Sequence, residues 1–475
     1  MRRAKIVITL GPATDDIKTI EDLITHGVNV FRLNFSHATH EYHGECIKKI
    51  RKASENVGKE VAILQDISGP KIRICELKKS IPLKHGDLLT LSKTIVDEDA
   101  KSVTISYPEI IDRVEVGEEV FFADGIIRAK IVEKTSEYAK CEIQTEQTLH
   151  SRKGINFPNS KLNIDAITAK DEKDLIFGAT QDIDIVALSF VSNDKDILKA
   201  KGILEEHDAY PLIFGKIEKP EAIRNIKKIL KVADGIMVAR GDMGVELGLH
   251  RVPNIQKKII AEANKLGKPT ITATQMLISM MNSPFPTRAE VSDVANAVLD
   301  GSDAVMLSDE TTVGNFPIEA VDTLRETIIE AEKEYPFYRS TDDNATEDDA
   351  IAAAVTTLAK SLRPHALIAF SRSGSSAMAM AKYRPKEKIL VSSYHKSTLR
   401  KLQVVWGIDA IYHSKKLDDP MKLIKDFLVE AMDKKHISLD KKYVLTIGAP
   451  LTVKRSTNDI KVLDRVTMEH ILEKH

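Results

Sequence analysis

The chain is poor in cysteine and aromatic residues and has almost no net charge. Only three cysteines and one tryptophan occur in 475 residues, and aromatic residues make up 5%. The cysteines are Cys46, Cys75 and Cys141, which form no CxxC pair and are odd in number. Neither a disulfide framework nor a zinc ribbon is therefore expected, and a reducing, cytoplasmic location fits this cysteine usage.

Charge and hydropathy argue against two further classes of protein. Lys and Arg number 69 and Asp and Glu 70, which gives a formal net charge of −1. Proteins that bind nucleic acid or anionic lipid through bulk charge carry an excess of basic residues. The sequence has no run of about 18 apolar residues, and the apolar stretch in the opening MRRAKIVITLG is too short for a signal peptide. We expect a globular protein with neither a nucleic-acid nor a membrane partner.

Short apolar runs alternate with helical patterns in two parts of the chain. The runs lie at 5–11, 28–35, 60–67, 184–191, 211–218, 235–242, 269–276 and 303–310. Alternating strands and helices are typical of a parallel sheet. Eight strands in roughly 250 residues predict a (β/α)8 TIM barrel. We assign residues 1–69 and 166–335 to this barrel as the catalytic domain.

The remaining segments predict two more domains. Residues 70–165 contain short alternating runs such as LLTLS and CEIQT, with a hairpin signal at Asp124–Gly125, and are assigned to an inserted, mostly-β cap domain. A polar stretch at 335–349 predicts a linker. Strand and helix patterns then resume, so residues 336–475 are assigned to an open C-terminal α/β domain.

Polar residues stand at the ends of most barrel runs, where a TIM barrel carries its active site. They are Thr9, Arg32, Asn34, Ser36, Asp66, Lys216, Glu218, Arg240, Asp242, Thr272, Thr274, Ser308 and Glu310. Only the fourth run, at 184–191, has no strongly functional side chain near its end, where Ser189 stands. Residues two apart in a strand share a face, so Arg240 and Asp242 are expected to point the same way. The pattern predicts a functional site at the barrel mouth.

Two carboxylates on neighbouring strands suggest a divalent cation. Glu218 and Asp242 could bind Mg²⁺ or Mn²⁺, which is typically held by one or two carboxylates and by substrate. A structural ion pair between Lys216 and Glu218 is the alternative, and the spacing leaves both open.

Cations around the same mouth suggest phosphate chemistry. They are Arg32, Arg73, Lys153 and Lys216. Arginine suits bidentate contacts to phosphate, and lysine acts as a point charge. No GxxxxGK[ST] or GxGxxG motif is present, so any nucleotide is held without a P-loop or a Rossmann turn. Phosphoryl transfer needs mainly positioning, metal and positive charge, which these residues can supply.

A second candidate site lies in the C-terminal domain. A serine-rich turn follows the run ALIAF and precedes a helical pattern, and its residues are Ser371, Ser373, Gly374, Ser375 and Ser376. Such a turn can present N–H and hydroxyl groups to a phosphorylated effector. A plain capped helix is the alternative.

Eight segments together resemble one family. They are TLGPAT (9–14), FRLNFSH (31–37), QDISGPKIR (65–73), KGINFP (153–158), GKIEKPEAI (215–223), MVARGDMGVE (237–246), TATQML (272–277) and MLSDET (306–311). In this order they resemble the pyruvate kinases, whose barrel is likewise interrupted after its third strand by a β cap. The resemblance implies transfer of the phosphoryl group of phosphoenolpyruvate to ADP, which gives pyruvate and ATP in the last step of glycolysis.

The resemblance also implies roles for single residues. Lys216 stabilises the enolate, Glu218 and Asp242 bind Mg²⁺ or Mn²⁺, and Thr274 is linked to the water that protonates the enolate. The substrate carboxylate lies against Gly241, Asp242 and Thr274. The transferring phosphate lies against Arg32 and Arg73, and the nucleotide is reached by Arg73, Lys153 and His37.

Two positions depart from the family pattern for a monovalent cation. Asn34, Ser36, Asp66 and the carbonyl of Ile67 match the K⁺ site. However, Lys71 replaces the glutamate of K⁺-dependent members, and Ile67 replaces the usual threonine. We expect that K⁺ is not required and that Lys71 supplies the charge, unless Lys71 is a solvated residue at the hinge to the cap.

The resemblance extends to assembly and regulation, with a homotetramer expected and effector binding placed in the C-terminal domain. The loop at 449–458 lacks the tryptophan and arginine pattern of the animal enzymes that fructose bisphosphate regulates, so the effector stays open. Two alternative functions are a non-catalytic sensor of phosphorylated metabolites and a metal-dependent barrel lyase acting on pyruvate or oxaloacetate.

Overall fold

The first elements of the chain are those that the apolar runs predict. The computed structural model describes residues 2–94, 97, 99–158, 160, 162, 164–339, 346–413, 415–448 and 457–474. Its first five elements are β1 (Lys5–Thr9), α1 (Ile17–His26), β2 (Val30–Asn34), α2 (His40–Val57) and β3 (Ala62–Ile67). Each helix begins at a side-chain cap, Asp16 or Thr39, and each ends at a glycine in the left-handed region, Gly27 or Gly58.

After β3 the chain leaves the barrel and builds the cap. Its strands are β4 (Ile81–Leu83), β5 (Leu88–Ser92), β6 (Ser102–Thr104), β7 (Glu119–Phe122), β8 (Ile127–Lys134), β9 (Tyr138–Ile143), β10 (Gln147–Leu149) and β11 (Ile155–Asn156). They form a small sheet of β4 and β10 and a larger sheet in the order β11-β7-β8-β9-β5-β6, which is antiparallel except between β5 and β6. The hairpin predicted at Asp124–Gly125 joins β7 to β8, and both residues have positive φ.

The chain then returns and completes the barrel. The elements are α3 (Ala169–Ala179), β12 (Ile185–Leu188), α4 (Asp194–Glu205), β13 (Leu212–Ile217), α5 (Pro220–Arg224), α6 (Ile226–Val232), β14 (Gly235–Ala239), α7 (Arg240–Leu247), α8 (Val252–Lys265), β15 (Thr270–Ala273), α9 (Arg288–Asp300), β16 (Ala304–Leu307), α10 (Asp309–Thr312) and α11 (Pro317–Ala331). Within the described residues, eight parallel strands close in the order β1-β2-β3-β12-β13-β14-β15-β16. The predicted TIM barrel is confirmed.

Alternation along the barrel strands builds two apolar layers. Side chains of one face fill the interior, among them Val7 and Val30, which are paired between β1 and β2. Side chains of the other face, such as Ile6 and Phe31, pack beneath the surrounding helices. This packing holds the strand ends rigidly around the mouth.

The strand predicted at 235–242 is present but shorter than expected. The sequence predicts an extended chain to the end of this run, with Arg240 and Asp242 on one face. Instead β14 stops at Ala239, and Arg240 and Asp242 lie in the first turn of α7. The N–H groups of that turn therefore lie at the mouth, where an extended chain would have placed alternating side chains.

The C-terminal domain is an open sheet with helices. Its elements are α12 (Glu347–Leu362), β17 (Ala366–Phe370), α13 (Ser375–Lys382), β18 (Lys388–Ser393), α14 (Lys396–Lys401), β19 (Ile408–His413), α15 (Pro420–Asp433), β20 (Tyr443–Ile447), β21 (Asp459–Leu463) and α16 (Arg465–Lys474). The strand order is β19-β18-β17-β20-β21, with β21 antiparallel. Helix α12 is capped by Thr346 and begins inside the stretch predicted as a linker, of which residues 340–345 lie outside the described residues.

The C-terminal domain is fixed to the end of the barrel opposite the mouth. The guanidinium of Arg384 donates to both carboxylate oxygens of Asp303, at 2.8 and 2.9 Å, and the backbone N–H of Trp406 donates to the same carboxylate at 3.0 Å. Arg400 donates to Asp184 at 2.8 Å. Asp303 and Asp184 directly precede β16 and β12, so both contacts lie at the amino ends of barrel strands. Among the described helices, none is long and apolar enough to cross a membrane.

Candidate active site at the barrel mouth

Lys216 is the centre of the charged groups inside the mouth. It lies near the end of β13, and its side chain is 12% exposed. Its ammonium nitrogen is 3.2 Å from Oδ1 of Asp66, 2.7 Å from Oγ of Ser189 and 3.3 Å from Oε1 of Glu218. These partners stand at or just after the ends of the neighbouring strands β3, β12 and β13, so the pairing of these strands brings them together.

The protonation states in this cluster favour a charged lysine. Burial acts against the charge of Lys216, but the carboxylates of Asp66 and Glu218 outweigh it and raise its pKa above the ordinary value. Burial would likewise raise the pKa of Asp66, yet Lys216 and Arg32 hold that pKa below its ordinary value. A permanent cation therefore lies in a site that water reaches poorly.

The carboxylate of Glu218 has one occupied and one free oxygen. Oε2 accepts a hydrogen bond of 2.8 Å from the backbone N–H of Phe190. Oε1 is buried and lies within ion-pair distance of Lys216 but outside hydrogen-bonding geometry. Burial raises the pKa of Glu218 above its ordinary value. Phe190 has a φ of 56°, which is uncommon for a bulky residue and aims its N–H at the carboxylate.

Helix α7 and the end of β15 form the next wall. The N–H of Gly241 donates to Oγ1 of Thr274 at 2.9 Å. Thr274 has a φ of 72°, a strained value for a β-branched residue. Arg240 stabilises this conformation, because its guanidinium donates to the carbonyl of Thr274 and to Asp293, both at 2.6 Å. Asp242 follows Gly241 in the same turn. Gly241, Asp242 and Thr274 are thus brought together, whereas Arg240 points away to support them.

The end of β2 supplies the opposite wall. Arg32 donates to Asp66 at 2.6 Å and to the hydroxyl of Thr9 at 2.9 Å. Asn34 is paired in register with Asp66, and its side-chain oxygen accepts a bond of 3.2 Å from the N–H of Ser36. The predicted cation-site residues of β2 and β3 are therefore adjacent, with Ile67 buried at the end of β3.

Three cations lie at the base of the cap. Arg73 donates to the carbonyl of Arg152 at 3.0 Å, and Lys153, next along the chain, is exposed. The ammonium of Lys71 is 3.8 Å from Asp124 in the cap hairpin. Among the described residues, no hydrogen bond joins Lys71 to Asn34, Ser36 or Asp66.

His37 faces this positive region from the barrel. Partial burial lowers the pKa of His37, and the charges of Arg73, Arg32 and Lys71 lower it further. The arrangement combines acidic oxygens deep in the mouth with cations at its rim, which suits a metal and a highly charged phosphate ligand.

Comparison with known proteins decides the family. The profile for the pyruvate kinase barrel domain matches residues 1–321, and that for the pyruvate kinase alpha/beta domain matches residues 349–463. The chain belongs to the pyruvate kinase family. It is an enzyme that transfers the phosphoryl group of phosphoenolpyruvate to ADP, forming pyruvate and ATP in glycolysis.

Relatives and a solved structure agree with this family. A pyruvate kinase of Geobacillus stearothermophilus is 41% identical over 97% of this chain and 80% of its own length. Pyruvate kinase 2 of Synechocystis sp. is 45% identical over 86% of this chain and 70% of its own length. A crystal structure of a pyruvate kinase from Cryptosporidium parvum superposes with a TM-score of 0.91 at 31% identity, and the match covers 98% of this chain and 96% of that one.

Several supporting residues of this pyruvate kinase fold are not evident from its sequence. Ser189, at the strand end judged weak, accepts from Lys216, and the next residue, Phe190, holds Glu218. Asp171 is fully buried and accepts from the N–H of Gly69, which fixes the turn before Lys71. Neither Ser189 nor Phe190 is charged or belongs to a recognisable motif, so only their places after β12 could have drawn attention to them.

Glu310, expected at the mouth, is buried and accepts from two loop N–H groups.

A second layer holds the loop that carries His37. The ring of His43 stacks on Phe35 with centroids 4.0 Å apart, and its Nε2 lies 2.9 Å from the carbonyl of His37. Lys170 donates to the carbonyl of Phe35 at 2.7 Å and to Asp174 at 2.6 Å. His37 is therefore positioned by the buried His43 of α2 and by the exposed Lys170 of α3.

The serine-rich turn of the C-terminal domain is closed by its own hydroxyls. Ser371 accepts from the N–H of Gly374 at 3.0 Å and from the hydroxyl of Ser376 at 3.1 Å, and the hydroxyls of Ser373 and Ser375 are 3.2 Å apart. Gly374 has a φ of 92° and begins α13. Of the loop at 449–458, which bears on the identity of the effector, residues 449–456 lie outside the described residues.

Proposed function

We propose that the mouth cluster carries the phosphoryl transfer, with Lys216 as the group that stabilises the enolate of pyruvate. The observation that supports this most is the buried ammonium of Lys216, held between two carboxylates and the hydroxyl of Ser189. A positioned cation in a site that excludes water stabilises developing negative charge without reorganisation. Breakage of the bond between the phosphoryl group and the enolate oxygen leaves that oxygen negative.

The substrate carboxylate would lie against the first turn of α7. The N–H groups of Gly241 and Asp242 and the hydroxyl of Thr274 supply its hydrogen bonds. The hydrogen bond from the N–H of Gly241 to the Thr274 hydroxyl supports this, because it holds the two groups side by side. The same hydroxyl would orient the water that protonates the enolate carbon.

Glu218 and Asp242 fit a divalent cation, Mg²⁺ or Mn²⁺. The buried Oε1 of Glu218 lacks a hydrogen-bond donor, and two carboxylates completed by substrate oxygens are a usual donor set for Mg²⁺. When bound, the cation neutralises charge on the phosphoryl group and on the enolate. The ion pair with Lys216 is made by the same Oε1, so a bound cation would share this oxygen with the ammonium of Lys216.

The phosphate and nucleotide would lie between barrel and cap. Arg32 and Arg73 neutralise the transferring phosphate, and Arg73, Lys153 and His37 contact the nucleotide. The lowered pKa of His37, caused by partial burial and by neighbouring cations, keeps its ring neutral and able to accept or donate a hydrogen bond.

We also propose that K⁺ is not required. Asn34, Ser36, Asp66 and the carbonyl of Ile67 form the oxygen-rich corner that would otherwise hold it. The charge of Lys71 lowers the pKa of His37, which supports a cation in this part of the cleft. Its ion pair with the exposed Asp124 is weak, so Lys71 is free to turn toward the phosphate.

We also propose the domain boundaries, the effector site and the assembly of the enzyme. Residues 1–69 and 166–335 form the catalytic domain, 70–165 the cap, and 336–475 a domain for effector binding and oligomerisation. The turn of Ser371, Ser373, Gly374, Ser375 and Ser376 would bind a phosphorylated effector. The resemblance supports a homotetramer in the cytoplasm.

A coupled assay tests the catalytic proposal. Pyruvate formed from phosphoenolpyruvate and ADP is reduced by lactate dehydrogenase. The accompanying loss of NADH absorbance is followed with and without Mg²⁺. We expect turnover that stops on addition of EDTA and returns with excess Mg²⁺ or Mn²⁺. A sensor would show binding without turnover, and a lyase would form pyruvate from oxaloacetate without ADP.

A further inference from the structure

The cap contacts the barrel through the helix that carries Gly241 and Asp242. Nδ2 of Asn156, in β11 of the cap, donates to Oε1 of Glu246 in α7 at 2.7 Å. One residue earlier in α7, Val245 lies beneath the cap hairpin: a Cβ on Gly125 would be 3.8 Å from its methyl groups. Two separate parts of the cap therefore meet the second half of one helix, whose first half carries Asp242.

The contact between Asn156 and Glu246 is partly buried. Burial raises the pKa of Glu246, and the hydrogen bond from Asn156 opposes that rise. Glu246 lines two cavities of the cleft, of about 770 and 400 Å³, so the contact lies inside the cleft between cap and barrel. A hydrogen bond between a carboxylate and an amide in such a place is stronger than one at an open surface.

The connection between cap and barrel does not by itself fix the orientation of the cap relative to the barrel. Two segments join them, and they run side by side, with the N–H of Ile155 donating to the carbonyl of Ile72 at 2.9 Å. A paired connection of this kind can bend as a hinge. Contacts away from the hinge must then set this orientation. The hydrogen bond from Asn156 to Glu246 of α7 is one of them.

We propose that the hydrogen bond between Asn156 and Glu246 is a latch that holds the cap closed, which makes Glu246 a positioning residue for the nucleotide. Lys153 is three residues before Asn156, and Gly154 is bridged to Arg73. The latch therefore acts on the cap edge that carries two cations, and it ties that edge to the helix of Gly241 and Asp242. The inference rests on the proposed assignment of Arg73 and Lys153 to the nucleotide.

Steady-state kinetics of latch variants test the proposal. Glu246→Ala removes the acceptor but keeps a strong helix former in α7. We expect it to raise the KM for ADP about tenfold, with the dissociation constant of phosphoenolpyruvate unchanged within about twofold. Glu246→Gln keeps an acceptor oxygen and should restore the KM to within about twofold of the original. Asn156→Ala should match Glu246→Ala, and the double variant should be no worse than either, as for two ends of one bond.

A matched control and a second measurement make the test decisive. Glu221 lines the same cavities but pairs with Arg224 on its own helix, so Glu221→Ala should leave the KM for ADP unchanged. Hydrogen exchange of the Ile155 amide, measured without substrates, should be faster in Glu246→Ala than in the original protein. Unchanged exchange together with an unchanged KM for ADP would overturn the latch, as would an equal loss of phosphoenolpyruvate affinity. If the original protein lacked transferase activity, the nucleotide assignment would fail, and the exchange measurement would still judge the latch.

Discussion

The backbone N–H of Phe190 holds Oε2 of Glu218 at 2.8 Å and leaves Oε1 on the side of Lys216. The end of β12 thus decides which oxygen of the carboxylate is free, although this strand end carries no charged group. The free oxygen and the ammonium lie 3.3 Å apart, so the proposed metal ligand and the proposed enolate-stabilising group share one small region.

Lys216→Met should lower kcat by about 10²-fold or more, because the ammonium stabilises charge that develops only in the transition state. The dissociation constant of phosphoenolpyruvate should change much less. The coupled assay and equilibrium binding measure the two quantities. Lys219→Met is a matched control, since Lys219 lies over the ring of Phe190 and outside the mouth cluster. Near-normal turnover in Lys216→Met would contradict the role of this lysine.

Ser189→Ala should lower kcat about fivefold, because Lys216 loses an acceptor at 2.7 Å and gains freedom to move. The KM for ADP should stay close to its original value. Ser192→Ala, in the same loop, is the control, because the Ser192 hydroxyl bonds only weakly to the carbonyl of Phe190, at 3.4 Å. A Ser189→Ala enzyme with unchanged kcat would show that Asp66 and Glu218 suffice to position the lysine.

His43→Phe should raise the KM for ADP about threefold and leave phosphoenolpyruvate binding unchanged. Phenylalanine preserves the stack on Phe35 but cannot bond to the carbonyl of His37. Initial rates over a range of ADP concentrations measure the effect. His207→Phe, at an exposed position in the turn after α4, serves as the control. Equal KM values in the two variants would speak against positioning of the loop by His43.

The enzyme should work in Na⁺ or tetramethylammonium buffer without K⁺. At ~4 Å and an effective dielectric of ~20, the charge of Lys71 is worth roughly 4 kcal/mol of interaction with a phosphate charge. Lys71→Glu should therefore lower activity, with partial recovery when K⁺ is added. Rates in the three buffers measure this dependence. Strong activation of the unsubstituted enzyme by K⁺ would refute the prediction.

A phosphorylated effector should raise the melting temperature of the protein, because a ligand that binds only the folded state stabilises it. A thermal-shift screen of sugar phosphates and nucleoside monophosphates identifies the compound. Ser375→Asp should abolish the shift and leave the basal rate intact, because its charge repels phosphate. Ser361→Asp adds the same charge at an exposed position of α12 and should leave the effector-induced shift in melting temperature unchanged. A shift that survives in Ser375→Asp would place the effector elsewhere.

The sequence predicted the barrel and most of the mouth for a local reason. Apolar runs of the right length recur between helical patterns, and their ends meet at one edge of a parallel barrel. Arg32, Asp66 and Lys216 therefore could be assigned to one place before any contact was known. The same local rule gave the wrong conformation for Arg240 and Asp242, since a run of residues after a strand does not reveal where a helix begins.

The sequence by itself determined the fold class, the order of the domains and the charged residues of the mouth. Only the tertiary structure decided how those residues are held: Ser189 against Lys216, His43 against the His37 loop, and Asn156 against Glu246. The physical reason is that periodicity and capping are set within one helix or strand, whereas each of these hydrogen bonds joins separate elements. Such contacts depend on how the elements pack against one another in the folded chain.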